Sequence, residues 1–343
     1  MRKVMLYEPG DLRIVECEKP KPKKGEVLIK NMVSLTCGSD VKSYIRGYAK
    51  HTPPYNIGHE ASGIVDSVGE GVSKFKVGDR VVAHNSAPCN ECYYCKKGIH
   101  SMCENLISNN LKNGAFSEYQ LIPAKIVEQN MFKIPEDMSF KQAALLEPFA
   151  CAVYGVSQVP VEQGDYVVVN GCGPSGLMFI KLLYLKGARV IACDKSKVRL
   201  DAAKKLGAYD VVNIEEVENQ VEAVKALTPE NRGVDCAVEA AGSVKVWEMS
   251  INMVRPGGFA LLYGGTKAGE ELVVDTKLLH YSQITIKGLY HTTPFYVNQA
   301  FELLKMKVID EKDFLYNEYK LENVKEALMN HHEGNVIKNF ITY

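Results

Sequence analysis

Hydrophobic and polar positions form short runs over the first third of the chain, with glycine or proline between the runs. Turn residues that recur about every ten positions are typical of an all-β or barrel-like region. The pattern therefore predicts a β-rich first domain over residues 1–152. Its clearest strand-like runs are KVMLY, EVLIKNMVSL, ASGIVDSVG and GDRVVAH.

From about residue 153 the pattern changes to apolar runs that do not alternate, each followed by a helical stretch. The first run, DYVVVNG, is typical of a parallel strand that is buried on both faces. One intervening helix is expected near residues 215–228. Six such strands with helices between them predict an α/β fold, a doubly wound parallel sheet over residues 153–290. The later strands are ARVIACD, DVVN, GVDCAVEAAG, GGFALLYGG and ITIKGLY.

The remaining tail, residues 291–343, contains two helical stretches and closes with a strand-like run. The helices are predicted within PFYVNQAFELLKMK and ENVKEALMNHHEG, and the strand within VIKNFITY. We expect His331 and His332, near the end of the second helix, to face solvent.

Length and charge narrow the class of protein. A chain of 343 residues is too long for one ordinary core and indicates two domains. Its 41 basic and 41 acidic residues leave no net field to attract phosphate backbones, which argues against nucleic-acid binding. Charges interrupt the N-terminus where a signal peptide would be apolar, and no apolar run approaches the roughly 20 residues of a membrane span. We therefore expect a cytoplasmic protein without a membrane partner.

A glycine-rich motif, GCGPSG, lies between the first parallel strand and the first helix. Gly171, Gly173 and Gly176 form G-x-G-x-x-G, with Pro174 and Ser175 between the last two glycines. The glycines permit a tight turn and a close approach of the pyrophosphate, and the helix N-terminus attracts phosphate. This context predicts a dinucleotide site.

Asp194 ends the next predicted strand, where an acidic residue binds the ribose hydroxyls. Its carboxylate would repel a 2′-phosphate, which favours NAD over NADP. The basic residues Lys195, Lys197 and Arg199 follow and act against that preference; we include Arg199 among the cofactor-binding residues.

Four cysteines, Cys89, Cys92, Cys95 and Cys103, lie within residues 87–104. Disulfides are disfavoured in the cytoplasm, so clustered cysteines indicate metal ligands or catalytic groups. Four thiolates leave no open position and predict a closed, structural Zn²⁺ site. An iron–sulfur spacing fits less well, because the fourth cysteine is too distant and no proline follows it. A redox CxxC pair would need only two of the four.

A second set of metal donors is dispersed along the chain. Cys37 lies in CGSD, His59 and Glu60 lie in GHEASG, and Glu147 opens EPFACAVYG. A catalytic Zn²⁺ site needs three protein ligands and an open position. Cys37, His59 and one carboxylate, Glu60 or Glu147, supply suitable donors.

Together these motifs, in this order, resemble the zinc-dependent medium-chain alcohol and polyol dehydrogenase family, in its sorbitol dehydrogenase-like branch. The resemblance extends over essentially the whole chain. It implies a GroES-like catalytic domain, to which residues 291–343 return, with a Rossmann domain inserted. It also implies hydride transfer between NAD and a secondary alcohol (a polyol, sugar alcohol or sugar acid), one catalytic and one structural zinc, and a homotetramer or homodimer.

The resemblance also implies roles for individual residues. Cys37 and His59 match catalytic zinc ligands, and Glu60 matches an acidic residue that is a ligand in some members. Glu147 stands where simple alcohol dehydrogenases have a second cysteine, and either ligates the zinc or holds its water. Asp40 matches the carboxylate that orients the zinc-binding histidine.

For proton transfer, Ser39 matches the hydroxyl through which the substrate proton leaves. Many relatives carry a histidine three positions later, but this chain has Lys42 there, so the route beyond Ser39 stays open.

The substrate itself is less narrowly defined by the sequence. Tyr44, Phe116 and Glu147 lie where relatives line the substrate pocket. His291 takes the place of an arginine that holds distal hydroxyls in polyol dehydrogenases, which weakens the case for sorbitol itself and for a phosphorylated substrate. A threonine-type or simple secondary-alcohol dehydrogenase is the alternative, with a zinc-free reductase or a non-catalytic scaffold less favoured.

Overall fold

The structure is a computed structural model that describes residues 1–47, 52–334 and 336–343. Contacts divide the chain into two units. The first unit comprises Met1–Ala150 and Thr292–Tyr343, and the second comprises Cys151–His291.

Strands occur in both units and are numbered in chain order. They are β1 (Arg2–Glu8), β2 (Asp11–Glu16), β3 (Val27–Leu35), β4 (Tyr55–Asn56), β5 (Ala61–Val68), β6 (Arg80–Ala83), β7 (Tyr119–Ile122), β8 (Met131–Lys133), β9 (Tyr166–Asn170), β10 (Arg189–Asp194), β11 (Asp210–Asn213), β12 (Val234–Glu239), β13 (Val254–Leu262), β14 (Thr285–Gly288), β15 (Glu318–Lys320) and β16 (Phe340–Thr342).

The α-helices are numbered in the same way. They are α1 (Gly38–Arg46), α2 (Tyr93–Lys96), α3 (Ala124–Gln129), α4 (Phe140–Ala144), α5 (Leu146–Ser157), α6 (Pro174–Leu185), α7 (Lys197–Lys205), α8 (Gln220–Ala226), α9 (Val244–Met253), α10 (Thr276–Tyr281), α11 (Pro294–Lys305) and α12 (Val324–Glu333). Short 3₁₀ helices cover His100–Met102, Pro229–Asn231, Glu311–Asp313 and Leu321–Asn323. Among the described residues, no helix has both the length and the apolar character that crossing a bilayer requires.

The first unit is built around a seven-stranded sheet in the order β15-β16-β3-β5-β6-β8, with β7 also paired to β3. Strand β3 pairs antiparallel with β5, where Ser34 faces Ala61, and with β16, where Leu35 faces Phe340. The C-terminal tail is thus hydrogen-bonded into the sheet that carries the early motifs. The end of β3, the start of β5 and the residues just before β16 therefore lie side by side.

The second unit contains a six-stranded parallel sheet in the order β11-β10-β9-β12-β13-β14. Every residue of the two central strands, β9 and β12, is buried, as the apolar runs without alternation predicted. The order reverses between β9 and β12, and ligands of such sheets bind at that point, outside the carboxyl ends of the strands. The predicted doubly wound α/β fold is confirmed.

One helix in the second unit is shorter than the sequence pattern predicts. The helix expected near residues 215–228 begins only at Gln220. Asn219 caps it, since its side-chain oxygen accepts hydrogen bonds from the backbone N–H groups of Val221 (3.0 Å) and Glu222 (3.3 Å). The acidic residues before Asn219 therefore precede the helix.

The prediction that His331 faces solvent is wrong. His331 is only 6% exposed, and its Nδ1 lies 2.8 Å from the hydroxyl of Thr36. The buried positions of α12 are 324, 327, 328 and 331, which is the spacing of one helix face. The position of His331 on that face outweighs its place in the last turn.

Candidate metal centres and dinucleotide loop

The pairing of β3 with β5 brings Cys37 and His59 together. Cys37 follows β3 and is the N-cap of α1, whereas His59 and Glu60 immediately precede β5. The backbone N–H of Leu35 donates to the carbonyl of Glu60 at 3.0 Å, so the hydrogen bonding between the two segments continues beyond the start of β5. Residues far apart in sequence are therefore fixed by one strand pair.

Asp40 contacts both His59 and Cys37 through its carboxylate. Its Oδ1 lies 3.1 Å from His59 Nδ1, and its Oδ2 accepts a hydrogen bond from the backbone N–H of Cys37 at 3.2 Å. A partner on Nδ1 fixes the imidazole ring and leaves Nε2 for a ligand. Ser39 lies on that side, where its hydroxyl donates to Cys37 Sγ (3.3 Å) and lies 3.4 Å from His59 Nε2.

Charge governs the protonation of His59. Burial by itself works to lower the pKa of His59, but the Asp40 carboxylate and the Cys37 side chain outweigh it and raise that pKa well above its ordinary value. The surroundings of His59 thus favour a positive charge, either a proton or a metal ion.

Glu60 forms an ion pair with Lys338 that is almost completely removed from solvent. Glu60 is 0% exposed and Lys338 is 1% exposed, with 2.6 Å between Oε2 and Nζ. Burial raises the pKa of Glu60 against the opposing effect of Lys338, and Glu60 in turn raises the pKa of Lys338 although burial works to lower it. Within the described residues, Glu60 Oε1 is buried and has no hydrogen-bond partner.

Lys338 was not among the residues predicted for the site. One indication was available: a lysine interrupts the apolar run VIKNFITY, which the pairing of β16 with β3 buries. A charge within a strand-like apolar run is costly unless a partner meets it.

Glu147 lies on the other side of His59. Its Oε2 is 4.0 Å from His59 Nε2, while its Oε1 accepts a hydrogen bond from Asn85 Nδ2 (3.1 Å) and lies 3.8 Å from His84 Nε2. Burial raises the pKa of Glu147 to about 7. His84 and Asn85 were not predicted as site residues either, since nothing in their local pattern distinguishes them from ordinary residues after a strand.

These donors fit a Zn²⁺ ion. The ligand atoms of Cys37, His59 and Glu60 all lie within 4.8 Å of one another. Thiolate, imidazole and carboxylate are ligands that Zn²⁺ takes in catalytic sites, and three of them leave a position for substrate. The unpartnered, buried Oε1 of Glu60 is the kind of acceptor that a bound cation satisfies.

The four clustered cysteines form a second, separate group. The sulfur atoms of Cys89, Cys92, Cys95 and Cys103 lie within 4.8 Å of one another. The buried cluster at this lobe consists of three of these cysteines and Leu106, packed with Cys92, so the lobe has little apolar core of its own. Four sulfur donors with no further group among them fit a closed tetrahedral zinc site.

Hydrogen bonds favour the thiolate form of one of these cysteines, Cys89. The Asn105 side chain and the backbone N–H groups of Glu91 and Cys92 lower the pKa of Cys89 to about 6. Burial, by contrast, raises the pKa of Cys95 to about 12. A cation among the sulfurs would favour the thiolate form of all four, as coordinated thiols are deprotonated.

In the second unit, the glycine motif has the geometry of a phosphate loop. Gly171 follows β9 at φ +97°, and Gly173 is the N-cap of α6, with Pro174 in its first turn. A Cβ at position 176 would lie 1.8 Å from the carbonyl oxygen of Gly171, whereas a Cβ at 173 would have no atom within 4 Å. Gly176 is therefore required by the fold, and Gly173 leaves an open approach to the helix N-terminus.

Asp194 lies at the end of β10, next to this loop. Its Oδ2 accepts a hydrogen bond from the backbone N–H of Cys172 (2.8 Å) and its Oδ1 from that of Ser196 (2.8 Å). Arg199 Nη1 lies 4.0 Å from Oδ2. Ser175 in the loop accepts a hydrogen bond at 3.4 Å from the hydroxyl of Tyr263.

Besides Glu147, the predicted substrate residues are Tyr44, Phe116 and His291. Tyr44 and Phe116 belong to an apolar cluster of the first unit with Val41 and Ile57, and Phe116 is fully buried. His291 ends the second unit at φ +61°. Their contact with a substrate stays a prediction.

Comparisons with known proteins agree with this geometry. Residues 23–136 match the family model described as the alcohol dehydrogenase GroES-like domain, and residues 174–306 match the one described as zinc-binding dehydrogenase. The chain belongs to the zinc-dependent medium-chain alcohol and polyol dehydrogenase family. The sequence-based identification of this family, and of a GroES-like and a Rossmann-type region in one chain, is confirmed.

Individual relatives cover most of the chain. A sorbitol dehydrogenase of Bacillus subtilis (strain 168) is 31% identical over 334 residues, which are 96% of this chain and 92% of that protein. An L-threonine 3-dehydrogenase of Pyrococcus horikoshii is 35% identical over 292 residues, 83% of this chain and 82% of that protein. A solved structure from Sinorhizobium meliloti 1021, bound to NADP, superposes with a TM-score of 0.90 at 25% identity, over 100% of this chain and 99% of that one.

We expect Gly176→Ala to destabilise the second unit, by about 1–3 kcal/mol, because the added methyl group would overlap the Gly171 carbonyl. Gly173→Ala is the matched variant: it should keep the thermal stability but weaken NADH binding about tenfold, or ~1.4 kcal/mol. Calorimetry and a fluorescence titration with NADH measure the two effects. Equal stability of the two variants would contradict this account of the loop.

We expect Cys95→Ser to lower the melting temperature by about 5 °C or more, because the lobe depends on the metal rather than on a core. Zinc, measured by elemental analysis, should fall from about two atoms to about one per chain. The half-buried Cys17 lies outside the groups of metal donors, so Cys17→Ser should change neither the melting temperature nor the zinc content. Full zinc content in Cys95→Ser would contradict the assignment of Cys95 as a zinc ligand.

Proposed function

We propose that this chain transfers a hydride between NAD and the carbon that bears a secondary hydroxyl in a polyol, sugar alcohol or sugar acid, giving the ketone as the hydroxyl loses its proton. The observation that carries the proposal is the set of Cys37, His59 and Glu60, with their ligand atoms within 4.8 Å, on the same chain as an open glycine loop. Family membership supports it, since both matched family models describe dehydrogenase regions.

In this proposal Cys37, His59 and a carboxylate hold the catalytic Zn²⁺, and Cys89, Cys92, Cys95 and Cys103 hold the structural one. When bound at the catalytic site, Zn²⁺ acts as a Lewis acid that lowers the pKa of the substrate hydroxyl and polarises the ketone in the reverse direction. Glu60 is favoured as the third ligand because a carboxylate oxygen lies within 4.8 Å of the ligand atoms of both Cys37 and His59, and because its buried Oε1 is unpartnered among the described residues.

Ser39 accepts the proton that the substrate hydroxyl loses. Its Oγ is within 3.4 Å of both Cys37 Sγ and His59 Nε2, next to the position where the substrate oxygen would bind. Ser39 is also exposed. The proton can therefore pass from this hydroxyl directly to water, which removes the need for a histidine at the position of Lys42.

The cofactor in this proposal is NAD, in contrast to the NADP in the Sinorhizobium meliloti structure. Hydrogen bonds from Cys172 and Ser196 fix the Asp194 carboxylate at the end of β10, where ribose binds in Rossmann folds. The negative charge of this carboxylate would repel the 2′-phosphate of NADP, which favours NAD.

A polyol is the favoured substrate, because the sorbitol dehydrogenase relative aligns with 96% of the chain. L-Threonine is the second candidate, because the threonine dehydrogenase relative is 35% identical. A panel of sorbitol, other polyols, sugar acids, 2,3-butanediol and L-threonine, compared by kcat/KM with NAD, decides between them. A homo-oligomeric state and a cytoplasmic location stay expectations from the sequence.

We expect Cys37→Ala and His59→Ala each to lower kcat by about 10³-fold or more, since each removes a ligand of the ion that polarises the substrate. NADH affinity, measured by fluorescence titration, should stay within about a factor of two, because the glycine loop lies in the other unit. Cys17→Ala is the control and should retain full activity. Undiminished turnover in either ligand variant would exclude this metal centre.

We expect Asp194→Ser to reduce the ratio of kcat/KM for NAD to that for NADP by about tenfold or more, ~1.4 kcal/mol, since the carboxylate no longer repels the 2′-phosphate. Lys195, Lys197 and Arg199 would then be available to bind that phosphate. The control is Asp201→Asn, which removes an exposed carboxylate from α7, the helix that carries Lys197 and Arg199, and should leave the ratio unchanged. An unaltered ratio in Asp194→Ser would contradict the assigned role.

A further inference from the structure

The two carboxylate oxygens of Glu147 have different surroundings. Oε1 accepts a hydrogen bond from Asn85 Nδ2 at 3.1 Å and lies 3.8 Å from His84 Nε2. Oε2 lies 4.0 Å from His59 Nε2, on the side of the metal donors. Both partners of the hydrogen bond are buried, with Asn85 8% and Glu147 7% exposed. One oxygen is thus held by the protein, and the other is turned toward the site.

Asn85 itself is fixed through its backbone. It lies two residues beyond β6, and its carbonyl accepts a hydrogen bond from the N–H of Leu111 at 3.0 Å. The preceding N–H, of His84, donates to the carbonyl of Asn130 at 2.9 Å. Asn130 closes the same segment from the other side, where its Nδ2 donates to the carbonyl of Ser86 at 2.7 Å. The backbone bonds of His84 and Asn85 therefore fix the residue that presents the amide, whereas the Asn130 side chain bonds one residue later, at Ser86.

We propose that Asn85 is a positioning residue of the catalytic centre: its amide anchors one oxygen of Glu147 and so directs the other oxygen toward His59 and the metal position. An amide suits this role, because it donates a hydrogen bond without adding a charge. A lysine or arginine at position 85 would neutralise the carboxylate that faces the metal. A carboxylate close to a metal is oriented by such hydrogen bonds, and their loss costs about 10–100-fold in metal affinity or activity.

This inference rests on the proposed function, and it differs from a purely structural explanation of the same hydrogen bond. A structural bond would affect stability alone. Asn130 offers the comparison, since it too is buried and its amide donates to the backbone of Ser86 rather than to a carboxylate; the backbone bonds that hold His84 and Asn85 do not depend on that amide. Loss of either amide should cost stability, but only the loss of the Asn85 amide should alter the metal centre.

The test compares Asn85→Ala with Asn130→Ala in the zinc-loaded protein, using the compound of the substrate panel that the wild type oxidises fastest. We expect kcat to fall about 10–100-fold in Asn85→Ala, with NAD affinity retained, and to stay unchanged in Asn130→Ala despite a lower melting temperature. Asn85→Asp is isosteric but lacks the donor, so it should lose activity likewise and serves where the alanine variant does not fold. Activity in the Glu147→Ala background should not fall further when Asn85→Ala is added.

A second readout does not depend on turnover. After replacement of zinc by Co²⁺, the visible absorption bands should shift in Asn85→Ala relative to the wild type but not in Asn130→Ala, while the four-cysteine site contributes equally to all three spectra. Unchanged kcat and unchanged Co²⁺ bands in both Asn85 variants would overturn the proposal and leave Asn85 a structural residue. A wild type that oxidises no compound of the panel would refute the proposed function instead, and the Co²⁺ spectra would still decide the role of Asn85.

Discussion

Strand β3 is hydrogen-bonded to β5 on one side and to β16 on the other, and Thr36 and Cys37 directly follow it. The first pairing brings His59 and Glu60 to the end of β3, and the second brings Lys338 there. Thr36 secures the second junction, because its N–H donates to the carbonyl of Asn339 (3.0 Å) and its hydroxyl accepts from the N–H of Asn339 (3.1 Å). If either pairing slipped by one residue, these side chains would point to the opposite face of the sheet.

Several charged side chains lie close together at the end of β3, and pairs of opposite charge offset the cost of burying them. Glu60 would be costly as an isolated buried carboxylate, and Lys338 would be costly as an isolated buried cation. Placed 2.6 Å apart, they offset each other. Asp40, bound to the N–H of Cys37, likewise meets the imidazole of His59. A divalent ion added to Cys37 and His59 would enter a site where Asp40 and one oxygen of Glu60 already have partners.

The sequence predicts some of this architecture well because the relevant patterns are local. Apolar runs without alternation identify buried parallel strands such as β9 and β12 from their own residues, and the spacing of the four cysteines predicts the grouping of sulfur donors that the structure shows. The burial of His331 could also have been predicted from local spacing, since it continues the buried face that Val324, Ala327 and Leu328 begin. The roles of Lys338, His84 and Asn85 could not be predicted in this way, because they depend on strand pairings and on contacts between distant parts of the chain. Asn85 and Glu147, for example, are 62 residues apart.

Carboxylates held by neutral donors recur in both units of the protein. Asp40 accepts from the backbone of Cys37 and of Gly58, Asp194 accepts from two backbone N–H groups, and Glu147 accepts from the amide of Asn85. Such donors fix the direction of a carboxylate and preserve its charge, which a salt bridge would neutralise. The bond from the Cys172 N–H to Asp194 ties the glycine loop to the end of β10, so the carboxylate that we propose to bind the ribose also shapes the loop. One side chain therefore links the loop geometry to the proposed cofactor preference, whereas Glu147, anchored by a single oxygen, leaves its other oxygen 4.0 Å from His59 Nε2.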